Sequence, residues 1–263
     1  MKSIFLLSAV VFVFSLYSCA HKATVQQEVP TEQEREIATD KVSDDKIEPL
    51  LWEHPKKDLN GNIFESNANF QKRLPRMKLW TAKLYELIPK ETTLLGPNIP
   101  TDIAEFCPNY PQLGPRQRTN FWAQLISAIS YVESAWSPTC RMVEKTMGTD
   151  RITGKQIASE GLMQLSYQDV ANYKQLFDCG FNWKVDRDLA SNDPQKSIFA
   201  PYRNLRCGLL ILNQKIKINN EISTPKTYWS VLRPAETNTN SKVSWLAKQT
   251  QSLSFCRKPS SKN

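Results

Sequence analysis

Apolar residues recur at helical spacing along most of the chain, and this periodicity restricts the possible fold more than any other feature. Leu205, Leu209, Leu212 and Ile216 are three or four residues apart, so a helix would place them on one face. No segment shows the strict alternation expected of a multi-stranded sheet. The sequence therefore predicts a mainly α-helical fold with little or no β-sheet. Helices are expected in residues 68–88, 121–137, 162–173, 204–216, 227–233 and 241–255.

Proline, asparagine and glycine residues predict where some of these helices begin and end. Pro75 is expected to break the first helical segment, because proline lacks the N–H that a helix interior needs. Asn120 is a suitable N-cap for the next helix, and Pro138 should end it. Gly161 precedes the apolar pattern of residues 162–173. The connection in residues 92–120 carries many prolines and is expected to be irregular.

The first eighteen residues look like a secretory signal peptide. Lys2 precedes an apolar run from Ile4 to Phe14, which is too short to span a bilayer, and small and polar residues follow before Cys19. Residues 16–19, Leu-Tyr-Ser-Cys, resemble a bacterial lipobox, which predicts lipidation of Cys19 and attachment to a membrane. The alternative is an ordinary cleavage site that releases a soluble protein. Either way we expect an exported protein, in the periplasm or on the outer membrane.

Charge divides the remaining chain into an acidic and a basic part. Residues 20–50 hold eight acids and four bases, which is a net charge of −4. The whole chain has a net charge of +8, and Lys2 contributes one positive charge, so residues 51–263 carry +11. We therefore expect a polar acidic tether in residues 19–50, followed by a basic folded part. A basic exported domain suits an anionic polymer such as nucleic acid, lipid head groups or peptidoglycan, although positive charge also aids solubility.

The numbers of cysteines and histidines limit which disulfides, metal sites and nucleophiles the folded part can contain. With Cys19 set aside as the lipid carrier, five cysteines remain, and in an oxidising compartment they predict two disulfides and one free thiol. The spacing does not reveal the pairing. The chain has two histidines, His21 and His54, and no Cys-x-x-Cys pair, so neither a zinc site nor a Cys-His nucleophile is expected. The five cysteines are Cys107, Cys140, Cys179, Cys207 and Cys256.

A glutamate occupies the apolar stripe of the second predicted helix. Ile126, Ile129, Glu133 and Trp136 are spaced i, i+3, i+7 and i+10, so Glu133 would share a face with apolar neighbours. One explanation is a glutamate at a helix end whose stem packs while its carboxylate reaches water. The other is a carboxyl group in an apolar setting, which raises a pKa and allows proton donation near neutral pH, as in a glycosidase general acid.

Several motifs then resemble one enzyme family. The stretch YVESAWSP (residues 131–138), followed by ASEGLMQLS (158–166), resembles the Glu-Ser and Gly-Leu-Met-Gln motifs of the lytic transglycosylase domain, which is related to goose-type lysozyme. NLRCGLLIL (204–212) is similar to the Asn-x-x-x-Gly helix that comes next in the family. Tyr228 falls near the tyrosine of the family's Ala-Tyr-Asn motif. The resemblance covers residues 118–235 and implies a lysozyme-like fold, which the disulfides expected from the cysteine count would staple.

The resemblance also implies roles for individual residues. Glu133 would be the catalytic acid, and Ser134 would help to shape the site beside it. Met163 and Gln164 would line the groove that holds the glycan, and Tyr228 would contact the sugar or Glu133. Met163 and Tyr228 could instead be packing residues. In the transglycosylase reaction the ionised glutamate takes a proton from the C6 hydroxyl of the muramic acid, so the product is a 1,6-anhydro sugar and no cofactor is consumed.

Departures from the family pattern leave a second mechanism open. Glu160 stands before the glycine of the Gly-Leu-Met-Gln motif, and the interval between the two motifs contains Glu144 and Asp150. Trp229 stands where the family has asparagine. An additional carboxylate could activate water, as in a hydrolytic lysozyme, or recognise a cationic, de-N-acetylated sugar. The alternative is that these acids belong to a solvated loop.

Together these features predict four segments and one preferred function. Residues 1–18 form the signal peptide, 19–50 the tether, 51–117 a helical N-terminal extension and 118–258 the lysozyme-like catalytic domain. The expected protein is an enzyme that cleaves peptidoglycan glycan strands, most simply as a lytic transglycosylase, with no cofactor and no metal. The alternatives are a hydrolytic lysozyme and a non-catalytic wall-binding protein. Nucleic acid is not an expected partner, because no recognition motif accompanies the charge.

Overall fold

The structure is a computed structural model that describes residues 47–54, 67–234 and 242–257. Within these segments the chain is mainly helical, with one two-stranded sheet and two disulfides, so the predicted mainly α, disulfide-stapled fold class is confirmed. The helices are α1 (Asn67–Glu91), α2 (Ile103–Phe106), α3 (Pro115–Ser134), α4 (Gln168–Tyr173), α5 (Trp183–Asp186), α6 (Pro201–Asn219) and α7 (Lys242–Gln251), and the strands are β1 (Arg141–Val143) and β2 (Ala158–Glu160).

Short 3-10 turns connect several of these elements. They span Leu51–Glu53, Tyr110–Gln112, Ser197–Phe199, Ser230–Leu232 and Ser254–Cys256. The predicted helix in residues 227–233 is reduced to the turn Ser230–Leu232. The predicted signal peptide (1–18), Cys19 and residues 20–46 of the tether lie outside the described residues. No helix of the described segments is both long enough and apolar enough to cross a membrane.

Helix α3 forms the centre of the core. It packs against α1 and α7, and its apolar side chains, including Trp122, Ile126 and Ile129, are fully buried. The boundary predicted between residues 117 and 118 falls in the first turn of α3. Because one core cluster includes buried residues from α1 through α7, the helical extension and the region with the enzyme motifs share their apolar interior.

The start of α3 differs from the prediction, because Asn120 is not its N-cap. The helix begins six residues earlier than predicted, at Pro115, whose fixed φ suits a first helical position. The backbone N–H of Gly114 donates to the Gln117 side chain at 3.2 Å and completes this start. Asn120 instead lies inside α3, fully buried, where its side chain binds both the N–H and the C=O of Glu48 at 2.9 Å.

Asn120 belongs to a polar stripe on α3 that holds residues 48–52. The backbone N–H of Leu51 donates to Gln124 at 2.8 Å, and that of Trp52 donates to the Ser127 hydroxyl at 3.1 Å. Buried backbone donors need such partners, since an unpaired one costs about 1–3 kcal/mol. The stripe therefore fixes the last residues of the predicted tether against the central helix.

The predicted break at Pro75 is also wrong, since α1 runs through that position. Pro75 is solvent-exposed, whereas Phe70, Met77 and Trp80 on either side of it are buried. Burial of side chains on both sides of the proline holds the helix together where local propensity would interrupt it.

Two disulfides join distant parts of the chain. Cys107 pairs with Cys256 across 149 residues, and Cys179 pairs with Cys207 across 28. The predicted free thiol is wrong for the described segments, which contain no free cysteine, because Cys140 is disulfide-bonded as well. The first bond ties the segment before α3 to the 3-10 turn that follows α7, and the second ties the loop after α4 to α6.

Candidate active site

Glu133 lies in the last turn of α3, where it is half-buried. The helix ends directly after it, because Ala135 and Trp136 both adopt left-handed backbone conformations, with φ of 51° and 60°. Such conformations cost non-glycine residues about 1–2 kcal/mol each. Burial of the Trp136 ring and a 2.8 Å hydrogen bond from its Nε1 to the Ser127 carbonyl offset that cost. The sharp turn leaves the Glu133 carboxyl at a helix end with access to solvent.

Ser134 connects Glu133 to the second motif. Its side chain is buried, and its hydroxyl lies 2.9 Å from the carbonyl oxygens of both Ser130 and Leu162. The hydroxyl of Ser130 lies 3.0 Å from the sulfur of Met163. The Glu-Ser motif and the Gly-Leu-Met-Gln motif are therefore joined in space, although about 27 residues separate them in the sequence.

The Gly-Leu-Met-Gln motif is a tight turn and not the start of a helix, so the helix predicted in residues 162–173 is wrong at its first half. Glu160 and Leu165 exchange backbone hydrogen bonds of 2.7 and 3.0 Å, and residues 161–164 close the loop between them. Gly161 and Gln164 have φ of 81° and 49°. Helix α4 begins only at Gln168, because these left-handed residues cannot continue a right-handed helix.

Met163 and Gln164 form the interior of this turn. Met163 is fully buried, and Gln164 is 6% exposed, with its Nε2 donating to the carbonyl of Gly161 at 2.9 Å. In this arrangement they support the site from beneath, and Met163 offers no surface to a glycan. Full burial of Met163 fits the packing alternative, and its place in a glycan groove stays a prediction.

The Asn-x-x-x-Gly motif of α6 holds the same turn from the other side. Asn204 accepts a hydrogen bond from the backbone N–H of Met163 at 2.7 Å, and it donates to the carbonyl of Glu160 at 3.1 Å. One turn later, Gly208 leaves room for Met163, because a Cβ there would lie 2.8 Å from the Met163 Cγ. Asn204 and Gly208 therefore both allow α6 to lie in close contact with the turn of residues 161–164.

The strands β1 and β2 form an antiparallel pair that carries Glu144 at one end. Met142 pairs with Ser159, and Arg141 pairs with Glu160. Since side chains alternate along a strand, Ser159 and Glu160 point to opposite faces of the pair. Glu144 lies on the face of Ser159, whose hydroxyl donates to its Oε1 at 2.6 Å, and the carboxylate is half-buried. Glu144 thus keeps solvent access.

Glu160 lies on the opposite face and is 2% exposed. Its Oε1 contacts the Lys196 ammonium at 2.8 Å and the Arg141 guanidinium at 3.0 Å. The Lys196 side chain is also buried. A buried carboxylate held by two cations cannot take a proton from a water without losing this pairing, so these contacts argue for a structural role of Glu160.

Asp150 is also engaged by the protein itself. It is 2% exposed, and its Oδ1 accepts the backbone N–H groups of Ile152 and Thr153 at 2.8 and 3.1 Å. Its Oδ2 accepts the N–H of Gln168 at 2.9 Å, which links the loop to the start of α4. Both oxygens are used to shape the loop, as aspartates in turns often do. Of the three acids considered as a second carboxylate, Glu144 is the one with solvent access.

The charge of Glu133 acts on Tyr228, which is also bonded to a residue that the sequence motifs did not single out. Its hydroxyl donates to Oδ2 of Asp169 at 2.7 Å. Burial, then the charge of Asp169 and more weakly that of Glu133, raises the pKa of Tyr228 well above its usual value. Burial also raises the pKa of Asp169, against the opposing effect of hydrogen bonds from Ser166 and Tyr228. The pattern Ser166-x-x-Asp169, a capping-box spacing, was a signal that could have identified this aspartate.

Trp229 takes the place of the asparagine that follows the tyrosine in the resembling family. Its ring is 2% exposed, and its Nε1 donates to the carbonyl of Met163 at 2.8 Å. The substituted residue therefore also bonds the Gly-Leu-Met-Gln turn. Tyr228 and Trp229 pack edge to face with ring centres 4.9 Å apart, so the turn, Trp229, Tyr228 and Asp169 form one connected unit.

Comparison with known proteins finds similarity to solved structures alone. No family model matches the chain, and no curated protein does. The wild-type form 2 of Bd0314 DslA, a Bdellovibrio protein, is similar at 27% identity with a TM-score of 0.54, covering 72% of this chain and 96% of that one. Two glutamate-to-glutamine variants of DslA are similar at 26% identity, each with a TM-score of 0.54, and likewise cover 72% of this chain. The described fold is therefore shared with DslA over nearly the whole of that protein.

Proposed function

We propose that this protein cleaves the glycan strands of peptidoglycan and that Glu133 is its general acid. The observation that carries the proposal is the junction of the two motifs: Ser134, directly after Glu133, contacts the carbonyl of Leu162 in the turn that Asn204 holds from below. Motifs that resemble those of the lytic transglycosylase domain thus form one rigid support under a carboxyl group with solvent access.

The chemistry requires such a support. Breaking the bond between N-acetylmuramic acid and N-acetylglucosamine needs a proton on the bridging oxygen while positive charge develops at C1 of the muramic acid. Glu133 lies at a helix end, and the half-buried Tyr228 is near enough for the charge of Glu133 to act on it. Glu133 would supply the proton and would then act as a base in the second half of the reaction.

We further propose Glu144 as the second carboxylate and water as the attacking group. The two DslA variants carry their substitutions at positions 143 and 154 of that protein, which are eleven residues apart. Glu133 and Glu144 are separated by the same interval (144 − 133 = 11). Because Ser159 orients the Glu144 carboxylate on the solvent side of the strand pair, it is suited to hold a water, or an ammonium group of a de-N-acetylated sugar.

The transglycosylase reaction is the second candidate, favoured by the motifs themselves. There the C6 hydroxyl of the muramic acid attacks C1, and Glu133 alone suffices as acid and base. Glu144 would then serve substrate recognition, without a chemical step of its own. The products of the two routes differ, since hydrolysis leaves reducing ends and the transglycosylase route leaves 1,6-anhydromuramic ends.

The Glu133→Gln variant tests the proposal. Glutamine keeps the shape but cannot donate or accept the catalytic proton, so cleavage of purified sacculi should fall by about 100-fold or more, while sedimentation with sacculi persists. Glu105→Gln, at a solvent-exposed glutamate of α2, is the matched control and should cleave like the unmodified protein. Equal cleavage by Glu133→Gln would overturn the assignment, and binding without cleavage in the unmodified protein would favour a non-catalytic wall-binding role.

Mass analysis of the fragments then separates the two routes. Incorporation of heavy oxygen from labelled water at reducing ends would identify hydrolysis, and Glu144→Gln should abolish that incorporation while binding persists. Anhydro ends that survive Glu144→Gln would establish the transglycosylase route. Acetylated and chemically de-N-acetylated sacculi should be compared in parallel. If Glu144 binds a substrate ammonium, the unmodified protein should cleave de-N-acetylated sacculi faster than acetylated ones, and the Glu144→Gln variant should cleave both at the same rate.

We also propose export of the protein, since two disulfides between distant cysteines suit an oxidising compartment. Lipid attachment at Cys19 stays a prediction from the sequence. Mass spectrometry of the mature N-terminus would decide whether Cys19 carries a lipid.

A further inference from the structure

A small cavity lies against the face of the strand pair that carries Arg141 and Glu160, opposite Glu144. It has a volume of about 80 Å³ and is enclosed by β1, β2, the loop between them and the chain from α5 to Lys196. A single water needs about 10–15 Å³, so the cavity has room for several waters or one small polar group. The described residues that line it include neither Glu133 nor Glu144, so it is separate from the candidate active site.

Positive charge predominates around this cavity. Both oxygens of Asp150 already accept backbone N–H groups, so Glu160 is the carboxylate left to pair with the cations of the lining. Four cations and two carboxylates line the cavity in the described part of the chain, which is a net charge of +2. The cations are Arg141, Lys155, Arg187 and Lys196.

The buried part of the lining has more positive than negative charge. A single oxygen of Glu160, Oε1, contacts the Lys196 ammonium at 2.8 Å and Nε of Arg141 at 3.0 Å. The Lys196 side chain is 4% exposed, and its ammonium also donates to the carbonyl of Ser191 at 3.2 Å. Two cations thus share one carboxylate where little water can solvate them, and an unbalanced charge in such a place is costly. An anion in the cavity would balance the second cation.

Three of the cations keep hydrogen-bond donors for a ligand. Arg141 uses Nε for Glu160, and its two terminal nitrogens have no hydrogen-bond partner among the described residues. Arg187 is exposed and meets Asp188 at 3.5 Å, which is a weak contact in water. The ammonium of Lys155 lies 5.1 Å from the centre of the Trp183 ring and likewise has no hydrogen-bond partner within the described segments.

Aromatic packing fixes one wall of the cavity. Trp183, which lies under the Lys155 ammonium, packs edge to face on Tyr167 with ring centres 5.0 Å apart. Tyr167 is buried, and its hydroxyl donates to Asp186 of α5 at 2.8 Å. The wall is therefore held in place by the fold, which lowers the cost of ordering the cations when a ligand binds.

We propose that this cavity is a second binding site, for a small oxyanion such as a carboxylate or a phosphate group. Arg141 and Arg187 supply guanidinium forks, whose paired N–H donors match two oxygens of such a group. Lys155 and Lys196 supply point charges beside them. The cavity volume admits the anionic group itself, while the rest of a larger ligand stays outside.

The site is joined to the strand pair that carries Glu144. Gln156 lines the cavity, and its Nε2 donates to the backbone carbonyl of Glu144 at 2.7 Å. An anionic group of a wall polymer bound here would therefore be held on the same rigid unit as Glu144, on its other face.

An NMR titration of the isotope-labelled protein tests the site. The probes are inorganic phosphate and N-acetylalanine, added separately at an ionic strength held constant with chloride. We expect saturable shifts of the backbone signals of residues 150–156 and of the Trp183 indole signal. The uncharged amide of N-acetylalanine should cause none. Saturation by phosphate alone identifies a phosphate site, and saturation by N-acetylalanine alone identifies a carboxylate site.

Matched variants separate a built site from general charge attraction. Arg187→Gln and Lys155→Gln remove exposed donors and leave the buried cluster intact, so each should weaken binding of the probe by about tenfold. Lys184→Gln removes the same charge from an exposed position of α5 that does not line the cavity, so it should bind like the unmodified protein. Equal weakening in Lys184→Gln, or shifts that rise with concentration without saturation for both probes, would overturn the proposal.

Failure of this inference is distinguishable from failure of the proposed function. The titration uses small ions and no glycan, so the site can be confirmed in a protein that does not cleave sacculi. A protein that cleaves sacculi but shows no saturable shift with either probe keeps the proposed function and loses the second site.

Discussion

Gly161 and Asn204 approach so closely that a Cβ atom on Gly161 would lie 2.7 Å from Cγ of Asn204. The Asn204 side chain uses this proximity to bond the backbone of Met163, Glu160 and Ile198, at 2.7, 3.1 and 2.9 Å. These bonds fix the turn of residues 161–164 on α6. Because Ser134 contacts the same turn, the position of Glu133 depends on the contact between Gly161 and Asn204.

Substitution of Gly161 should therefore be far more costly than that of another glycine with a similar backbone. Gly161→Ala introduces both a strained left-handed alanine and a clash with Asn204, which together should lower the free energy of unfolding by about 2–5 kcal/mol. Gly148 has a similar φ of 79° with open space around it, so Gly148→Ala should cost only the strain, about 1–2 kcal/mol. Urea denaturation of both variants measures the difference, and equal losses would show that the close contact is energetically unimportant.

The buried pair of Glu160 and Lys196 should behave as a structural ion pair. Lys196→Met leaves Glu160 buried with Arg141 as its remaining cation, and loss of one partner of such a pair typically costs about 3–5 kcal/mol. In the double variant Glu160→Gln with Lys196→Met, part of this stability should return, because no buried charge is left without its main partner. A folded Glu160→Gln variant that binds sacculi but no longer hydrolyses them would contradict this role and identify Glu160 as the base.

The two disulfides should contribute unequally to stability. In the chain-entropy description the stabilisation grows with the logarithm of loop length, so the bond across 149 residues should exceed the bond across 28 by about 1.5 kcal/mol. Thermal unfolding of Cys256→Ser and Cys207→Ser compares them. A greater loss in Cys207→Ser would mean that contacts around the α6 cysteine, and not loop closure, dominate.

Attachment to the cell wall should depend on salt. The net charge of +11 on residues 51–263 attracts an anionic polymer, and this attraction is screened over about 10 Å at 0.1 M salt. Binding to sacculi should weaken clearly between low salt and several hundred millimolar. The Glu133→Gln variant is the suitable protein, since it leaves the sacculi intact. Salt-independent binding would show that contacts in the glycan site dominate.

Periodicity and local motifs were sufficient for the helical class of this protein and for its candidate acid. The spacing of Leu205 to Ile216 identifies α6, and the position of Glu133 on an apolar stripe directs attention to the end of α3. Both are local properties, because one residue in every three or four faces the same side of a helix whatever the rest of the chain does. The presence of disulfide cross-links was equally evident from the cysteine count.

Long-range contacts decided what local patterns could not. Pro75 is a signal for a helix break, yet Phe70 and Trp80 are buried on either side of it and the helix continues. Asn120 is a signal for a helix cap, yet its side chain is hydrogen-bonded to the backbone of Glu48 instead. Local preferences of about 1–3 kcal/mol yield to burial of several large side chains.

The different surroundings of Glu144, Asp150 and Glu160 are visible only in the tertiary structure. All three are acids in the same interval of sequence, and only folding gives Asp150 its backbone donors, Glu160 its buried cations and Glu144 its access to solvent. The link between Asp169 and Tyr228 joins residues 59 apart. The sequence determined which residues can ionise, whereas the tertiary structure decided which do so in contact with water, because burial and hydrogen-bond partners set the free energy of a charge.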